Sequence, residues 1–108
     1  MKNVINLTNE NMQDTIDTNN IVVVDLWAEW CGPCKMLTPV FAQLAEDYSD
    51  NSDVAFGKIN VDDERDIAIE FSVTSIPTVL FFKGGENVKR EVGFHPKDFY
   101  KDIIDSLL

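Results

Sequence analysis

A continuous run of β-branched residues, Ile21 to Val24, restricts the fold of this chain more than any other stretch. The run does not alternate between apolar and polar residues, which is the pattern of a strand covered on both faces. Strands of this kind belong to largely parallel sheets with helices packed on each side. Apolar residues at helical spacing follow closely, from about Gly32 to Tyr48, although Pro39 should kink this helix. The sequence therefore predicts an α/β fold built on a central sheet.

Shorter patterns predict the elements before and after this strand–helix pair. The predicted strands are Val4 to Leu7, Val54 to Ile59, Thr78 to Phe82 and, after a Gly84-Gly85 hairpin turn, Glu86 to Val92. The apolar faces of the other predicted helices consist of Met12 and Ile16, of Ile67 and Phe71, and of Phe99, Ile103 and Leu107. Their expected starts are marked by Thr8 as a cap, by Asp62 or Asp63, and by Pro96 near the first position.

Length and charge narrow the range of partners. The 108 residues are expected to form a single domain, residues 1–108, and 44% of them are hydrophobic, which is enough for a core. Lys and Arg number 9 against 19 Asp and Glu, so the net charge is −10. This charge repels phosphate backbones and anionic lipids, so we expect no nucleic-acid partner and no membrane partner.

The location in the cell is expected to be the cytoplasm. No apolar run approaches the roughly 20 residues that cross a membrane, and the segment from Met1 to Asn6 lacks the apolar core of a secretion signal. In a reducing compartment, a pair of cysteines is more often catalytic than structural. The chain is expected to act there as a monomer.

The two cysteines of the chain stand three positions apart in the stretch Cys31-Gly32-Pro33-Cys34. If a helix begins near Cys31, Cys34 lies about one turn further on, and the two sulfur atoms can reach each other. Cys31 is then at the helix N-terminus, where free N–H groups and the helix dipole favour a negative charge. Because the thiolate is the nucleophile of disulfide exchange, this position activates Cys31 and predicts a redox dithiol.

Three other roles for the cysteines are less well supported. A structural disulfide that closes a loop of four residues contributes only roughly 2 kcal/mol in the chain-entropy model. A zinc site needs about four ligands, and the single histidine, His95, is far away in the sequence. Two inert buried thiols fit poorly with the neighbouring Trp30, Gly32 and Pro33, which indicate a shaped, partly exposed turn. Redox chemistry without a metal is therefore the favoured interpretation, since C-x-x-C beside a βαβ pattern is the more specific signal.

Two charged residues interrupt the predicted buried strands. Asp25 follows the β-branched run, and it is either a solvated residue at the strand end or a half-buried proton acceptor near the dithiol. Burial would raise the pKa of its carboxyl group, but structural carboxyl groups are perturbed too, so position alone does not decide. For Lys58, a side chain that reaches solvent is the simpler interpretation, and a pairing with Asp25 is the alternative.

Three motifs together carry a resemblance to a known family: Asp25-Leu26-Trp27-Ala28-Glu29-Trp30-Cys31-Gly32-Pro33-Cys34-Lys35, Ser75-Ile76-Pro77-Thr78, and Gly93. With the order of the predicted elements, they resemble the thioredoxin family over essentially the whole chain. The resemblance implies a thioredoxin fold, in which a five-stranded mixed sheet of order 1-3-2-4-5 is flanked by four helices. It also implies a cis peptide bond between Ile76 and Pro77, whereas only about 5% of X-Pro bonds in folded proteins are cis.

The resemblance also implies roles for individual residues. Cys31 attacks a disulfide of a target protein and forms a mixed disulfide, and Cys34 resolves it. Asp25 is the buried group that takes the proton from Cys34, directly or through water, and Lys58 is its partner. A thioredoxin reductase returns the electrons, and no cofactor is needed because the two sulfur atoms carry them.

The family's flat, mostly apolar contact surface corresponds here to Trp30, Gly32, Pro33, Ile76, Pro77, Val92 and Gly93. An extended substrate segment can pair with backbone groups at such a surface as an added strand. Phe94 departs from the family's pattern, because a small residue is expected directly after Gly93. This departure bears on which protein partners are accepted.

The expected function is therefore the reduction of protein disulfides by a thiol-disulfide oxidoreductase that acts as an electron carrier. One rival is a thiol oxidant or isomerase on the same fold, which differs in reduction potential rather than in architecture. The other rival is a module that binds partners through the same apolar surface without redox turnover. By the same resemblance, the Gly32-Pro33 dipeptide favours the reductant.

Overall fold

The computed structural model describes residues 3–108 as a five-stranded sheet with helices on both faces. The elements, in chain order, are β1 (Val4–Asn6), α1 (Met12–Thr18), β2 (Ile21–Trp27), α2 (Gly32–Asp47), β3 (Val54–Asn60), α3 (Arg65–Glu70), β4 (Thr78–Lys83), β5 (Glu86–Val92) and α4 (Lys97–Leu107). The first two residues of the predicted 1–108 domain lie outside this description. Within the described range, no helix combines the length and the apolar character needed to cross a bilayer.

The strands are arranged in the order β1-β3-β2-β4-β5, which confirms the mixed sheet and its four flanking helices. Strand β2 lies at the centre, parallel to β3 and antiparallel to β4. Its residues Ile21 to Val24 are 0% exposed, because helices pack on both faces of the strand. The β-branched run therefore forms the covered central strand that its lack of alternation predicts.

Alternate residues of β2 point to different helix layers, as the period of two in a strand requires. Ile21 and Val23 pack with residues of α2 and α4, whereas Val22 and Val24 pack with residues of α1 and α3. Burial of side chains of this size contributes about 1.5–3 kcal/mol each, so both layers stabilise the same strand. By the same alternation, Asp25 faces the layer of α2 and α4, where the cysteine-bearing helix lies.

Helix α1 begins at Met12, later than the predicted start at Thr8. The backbone N–H of Thr8 donates to Oδ1 of Asn11 (2.8 Å), and the carbonyl oxygen of Thr8 accepts from the N–H of Met12 (3.1 Å). Thr8 therefore belongs to the turn that precedes the helix, and the predicted start was wrong. The predicted buried residues Met12 and Ile16 do face the core, at 6% and 4% exposure.

Helix α3 also begins later than predicted, at Arg65 rather than at Asp62 or Asp63. The side-chain Oδ1 of Asn60 accepts a hydrogen bond from the N–H of Asp62 (2.9 Å). The backbone carbonyl of Asn60 accepts another from the N–H of Asp63 (3.1 Å). These bonds form a turn where the first helical turn was expected, because an Asn side chain competes with helix formation in this way.

The buried face of α4 is rotated by one residue from the predicted one. Tyr100 and Ile104 are 0% exposed, whereas Phe99, Ile103 and Leu107 are only partly buried at the edge of the same cluster. The predicted apolar residues do pack against the core, but the most buried positions lie one residue further along, since both sets repeat every four residues and spacing alone does not distinguish them. The rotation has a consequence for the site, because it brings Tyr100 close to the segment that follows β5.

The hairpin between β4 and β5 returns the chain to the end of the sheet where the cysteines lie. It turns at Gly84 and Gly85, as predicted, and both residues have positive φ angles, 59° and 84°. Glycine adopts these angles without the steric cost that other residues meet. Strand β5 then ends at Val92, which pairs with Thr78 at the start of β4.

Candidate active site

The two cysteines lie where β2 leads into α2. Cys31 is the N-cap residue of α2 and Cys34 lies in its first turn, with 5.2 Å between their Cα atoms and a disulfide bond between their sulfur atoms. The Sγ of Cys31 accepts a hydrogen bond from the backbone N–H of Cys34 (3.2 Å). In the reduced protein, this N–H and the helix dipole would both stabilise negative charge on the Cys31 sulfur. The sequence-based expectation of two sulfur atoms in reach of each other at a helix start is confirmed.

The cysteines are less exposed than the turn around them. Cys31 is 5% exposed and Cys34 is 1% exposed, whereas Gly32 and Pro33 are exposed and Trp30 is 70% exposed. The turn is thus open to solvent, as the sequence predicts, but its sulfur atoms are largely covered. Of the two cysteines, Cys31 is the less covered one.

The exposed ring of Trp30 is held by a residue that the sequence predicts only as a helix start. Its indole N–H donates to Oδ2 of Asp62 (2.9 Å). Asp62 lies in the turn after β3, so this hydrogen bond connects the segment before Cys31 to a neighbouring loop. Nothing in the sequence pattern relates residues 30 and 62, because the connection depends on the tertiary fold.

A second segment lies against Cys31. The peptide bond between Ile76 and Pro77 is cis, as the resemblance implies, and the carbonyl oxygen of Ile76 is 3.7 Å from Sγ of Cys31. The N–H of Gly93 donates to the carbonyl oxygen of Pro77 (2.8 Å), so the end of β5 lies beside this segment. Val92 is 51% exposed, Ile76 is half-buried and Pro77 is buried, so the proline ring does not reach the surface.

Asp25 is buried in β2, at 2% exposure, which decides between the two environments that the sequence leaves open. Burial raises the pKa of its carboxyl group from 3.8 to about 7, because desolvation disfavours the charged form. The positive charge of Lys58 opposes this shift and lowers the pKa. Asp25 therefore has a carboxyl group that can exchange a proton near neutral pH.

Lys58 is the partner of Asp25 in the parallel register of β2 and β3. The two side chains therefore lie on the same face of the sheet. Lys58 is half-buried, and its Nζ is 5.5 Å from the centroid of the Trp27 ring, within the range of a cation–π contact. The interpretation that Lys58 only extends its side chain to solvent is therefore incomplete, since its positive charge also lowers the pKa of Asp25.

A small cavity of about 120 Å³ adjoins Asp25 and is lined by Asp25, Trp27, Thr38 and Lys58. Trp27 and Thr38 also line a cleft beside Cys34. Among residues 3–108, Oδ1 of Asp25 and Nε1 of Trp27 are buried polar atoms without a protein hydrogen-bond partner. Buried polar groups are satisfied by protein or by ordered water in the great majority of cases, and this volume accommodates water at about 30 Å³ per molecule. Water in the cavity can therefore satisfy both atoms.

The site can thus carry out thiol–disulfide exchange and transfer a proton. The two sulfur atoms can store two electrons as a dithiol and release them as a disulfide. In the part of the chain that the structure describes, no three His, Cys, Asp or Glu residues come together as a metal ion would require. The chemistry that the geometry supports is that of the cysteine pair itself.

Comparisons with known proteins agree with this geometry. The family model described as Thioredoxin matches residues 3–106. A thioredoxin of Staphylococcus haemolyticus is 41% identical over 105 residues, which cover 97% of this chain and 98% of that protein. A thioredoxin of Mycoplasma pneumoniae is 50% identical over 80 residues, which cover 74% of this chain and 76% of that protein. Among solved structures, a mutant thioredoxin from Halobacterium salinarum is similar with a TM-score of 0.86 and 36% identity, and the match covers 96% of this chain and 88% of that one.

The fold and the cysteine pair at the start of α2 define a thiol-disulfide oxidoreductase. The family match extends over nearly the whole chain, and the two relatives named above are 41% and 50% identical to it. The chain belongs to the thioredoxin family. It acts as a protein-disulfide oxidoreductase, and Cys31 and Cys34 form its redox-active disulfide.

Proposed function

We propose that the protein reduces disulfides of other proteins, with Cys31 as the attacking thiolate and Cys34 as the resolving thiol. The Cys31 thiolate attacks one sulfur of the target disulfide, a mixed disulfide forms, and the other target sulfur leaves and takes up a proton. Cys34 then loses its proton and attacks the Cys31 sulfur. The Cys31–Cys34 disulfide forms, the second target thiol is released, and two electrons and two protons have passed to the target.

The unequal placement of the two sulfur atoms is the observation that supports these roles. Cys31 is at the helix N-terminus, accepts the N–H of Cys34 at 3.2 Å and retains 5% exposure. Cys34 is 1% exposed inside the first turn. A thiolate at position 31 is therefore stabilised and reachable, whereas the thiol at position 34 meets the target only after the mixed disulfide has formed.

Asp25 is proposed to accept the proton of Cys34. The attack of Cys34 requires a thiolate, and a carboxyl group with a pKa of about 7 can take up a proton at neutral pH. Water in the cavity would carry this proton, since Trp27 and Thr38 line both the cavity at Asp25 and the cleft at Cys34. Lys58 assists by favouring the ionised form of Asp25 before the transfer.

The surface around Cys31 is proposed to bind the target protein. It consists of Trp30, Gly32, Pro33, Ile76, Val92 and Gly93, with Pro77 contributing its backbone. Two observations support it: large apolar side chains are exposed there, and the carbonyl oxygen of Ile76 is 3.7 Å from the Cys31 sulfur. A target segment that lies along residues 76 and 77 would therefore bring its disulfide to Cys31.

A thioredoxin reductase is proposed to return the electrons to the oxidised protein. The protein is proposed to act in the cytoplasm, as a monomer that consists of one domain. A dithiol of this kind remains reduced only where the compartment supplies reducing equivalents. The net charge of −10 disfavours nucleic acid and anionic membranes as partners. No cofactor is required, because the sulfur atoms hold the electrons.

Insulin reduction and the reduction potential test the proposal together. With dithiothreitol as the electron donor, the wild-type protein should accelerate the reduction of insulin disulfides. Its reduction potential should be at least as negative as the cytosolic glutathione pool, about −220 to −260 mV. A potential near −120 mV would instead indicate a thiol oxidant on the same fold. A variant that lacks both cysteines cannot carry out redox turnover. If that variant still performed the role of the protein in the cell, the protein would be a module that binds partners without redox chemistry.

A further inference from the structure

We propose that His95 is a positioning residue which, together with the hydroxyl group of Tyr100, fixes the backbone of Val92 and Gly93 and thereby sets the affinity for protein disulfides. This inference rests on the proposed function, because Val92 and Gly93 belong to the proposed target-binding surface. It goes beyond that function by assigning two residues that do not touch the sulfur atoms. The argument depends on three hydrogen bonds and on the packing of three aromatic rings.

The hydrogen bonds hold two consecutive carbonyl groups of the surface. Nε2 of His95 is 3.2 Å from the carbonyl oxygen of Val92, and since a carbonyl only accepts, Nε2 carries the proton and donates it. The hydroxyl of Tyr100 donates to the carbonyl oxygen of Gly93 (3.3 Å) and accepts from the backbone N–H of His95 (3.1 Å). Val92 and Gly93 are therefore both fixed by groups at the start of α4.

The rings of His95, Phe99 and Tyr100, here called the aromatic clamp, keep these donors in place. His95 stacks on Phe99 with ring centroids 4.0 Å apart and 14° between the planes. Tyr100 packs edge-on against both rings, at 6.0 Å and 5.5 Å. Tyr100 is 0% exposed, so its hydroxyl group has a fixed position relative to the core.

The segment that the clamp holds contains a glycine in a conformation that other residues rarely adopt, and it lies next to the reactive sulfur. Gly93 has a φ angle of 90°, in a region that glycine enters with little restraint. Its N–H donates to the carbonyl oxygen of Pro77 (2.8 Å), and the neighbouring Ile76 carbonyl is beside Cys31. A surface that is fixed before binding avoids the entropic cost of being ordered during binding. A small disulfide that contacts little beyond the sulfur atoms has no such requirement.

The test uses substitutions that remove the hydrogen bonds and keep the rings. His95→Phe retains a ring that can stack on Phe99 but loses the donor to Val92, and Tyr100→Phe loses the hydroxyl and keeps its buried ring. His95→Gln keeps a side-chain donor, and Asp102→Asn on the exposed side of α4 is the control. Insulin reduction with dithiothreitol gives KM and kcat. Single-turnover reduction of dithiobis-nitrobenzoate by the pre-reduced protein measures the reactivity of the dithiol without the contribution of protein binding.

We expect His95→Phe and Tyr100→Phe each to raise the KM for insulin about two- to ten-fold, which corresponds to the loss of one hydrogen bond. The kcat and the rate with dithiobis-nitrobenzoate should stay close to the wild-type values, and His95→Gln should recover part of the affinity. Amide hydrogen exchange at Gly93 should accelerate in both Phe variants. The control should match the wild type in every assay.

Unchanged KM values, or exchange at Gly93 that does not accelerate, would overturn the role of the clamp. An equal loss of activity with insulin and with dithiobis-nitrobenzoate would do the same, because it would indicate damage to the dithiol. A wild-type protein that reduces neither compound would overturn the proposed function, and the clamp with it. Variants indistinguishable from an active wild type would overturn the clamp alone.

Discussion

The two sides of the disulfide differ in how far the groups around each sulfur atom are exposed to solvent. On the side of Cys34, the important groups are buried: Cys34 is 1% and Asp25 is 2% exposed. On the side of Cys31, large apolar side chains lie on the surface, with Trp30 at 70% and Val92 at 51% exposure. Burial moves a pKa, whereas exposed apolar area attracts a partner. Under the proposed function, the buried side would control protons and the exposed side would control recognition.

This difference gives each side a distinct experimental signature. A substitution on the buried side should alter rates and their dependence on pH, and should leave the affinity for targets unchanged. A substitution on the exposed side should alter KM and leave the chemistry of a small disulfide unchanged. A substitution that shows the signature of the opposite side would contradict the comparison.

The largest effects are expected for the cysteines themselves. Cys31→Ser should reduce the rate of insulin reduction to the uncatalysed background, because no attacking sulfur remains. Cys34→Ser should still attack but should accumulate a mixed disulfide with the target, visible as a covalent adduct by mass spectrometry. An adduct in Cys31→Ser and none in Cys34→Ser would reverse the roles of the two residues.

Asp25→Asn should slow insulin reduction by about 100-fold at neutral pH, because general acid–base groups typically contribute at least that much. The KM should stay near the wild-type value, and the pH dependence that Asp25 causes should be lost. Asp66→Asn, at an exposed position of α3, removes one negative charge elsewhere and serves as the control. A wild-type rate in Asp25→Asn from about pH 5 to about pH 9 would remove the proposed proton transfer.

The free energy of unfolding should also depend on Asp25. The folded-state pKa is about 7 and the ordinary value is 3.8, so between these values the folded protein binds more protons than the unfolded chain. Stability therefore falls as the pH rises through this range and stays low above it. The cost is at most about 4 kcal/mol, from roughly three pH units at about 1.4 kcal/mol each.

Asp25→Asn removes this cost, so its denaturant midpoint should exceed that of the wild type at about pH 8. The difference should shrink as the pH falls and disappear near pH 4, where the wild-type carboxyl group is protonated when folded. Urea unfolding at both pH values, followed by circular dichroism, measures the effect. Equal midpoints at about pH 8 would show that the ionised carboxyl group is compensated in the folded protein.

The smallest effects are expected on the exposed side, at the hydrogen bond between Trp30 and Asp62 (2.9 Å). Trp30→Phe and Asp62→Ala should each raise the KM for insulin about two- to five-fold, because the exposed ring loses its fixed position. Asp62→Asn keeps an acceptor oxygen and should resemble the wild type. A decrease in kcat without a change in KM would assign Trp30 to the chemistry rather than to recognition.

The sequence predicts the main strands and helices of the molecule because these elements depend on local patterns. The β-branched run of β2 and the Cys31–Cys34 spacing at a helix start are readable from neighbouring residues alone. The order of the strands, in contrast, came from resemblance to a family. The starts of α1 and α3 were predicted incorrectly, because the side chains of Asn11 and Asn60 form turns where helix was expected.

The parts of the site that escaped prediction depend on contacts between distant residues. Position alone left Asp25 undecided, since its environment is determined by what packs against β2. Tyr100 was missed on α4 because two sets of residues share the same spacing. The link from Trp30 to Asp62 joins positions 32 residues apart, and no periodicity indicates it.

The central claim is that Cys31 is the ionised and reachable thiol of the reduced protein, whereas Cys34 is shielded. The most direct measurement treats the freshly reduced protein with limiting iodoacetamide at neutral pH and locates the label by peptide mass spectrometry. The account predicts that Cys31 is alkylated at least about tenfold faster than Cys34, because its sulfur is the less covered of the two and its thiolate is stabilised at the helix N-terminus. Slow and equal labelling of both cysteines, or faster labelling of Cys34, would contradict it.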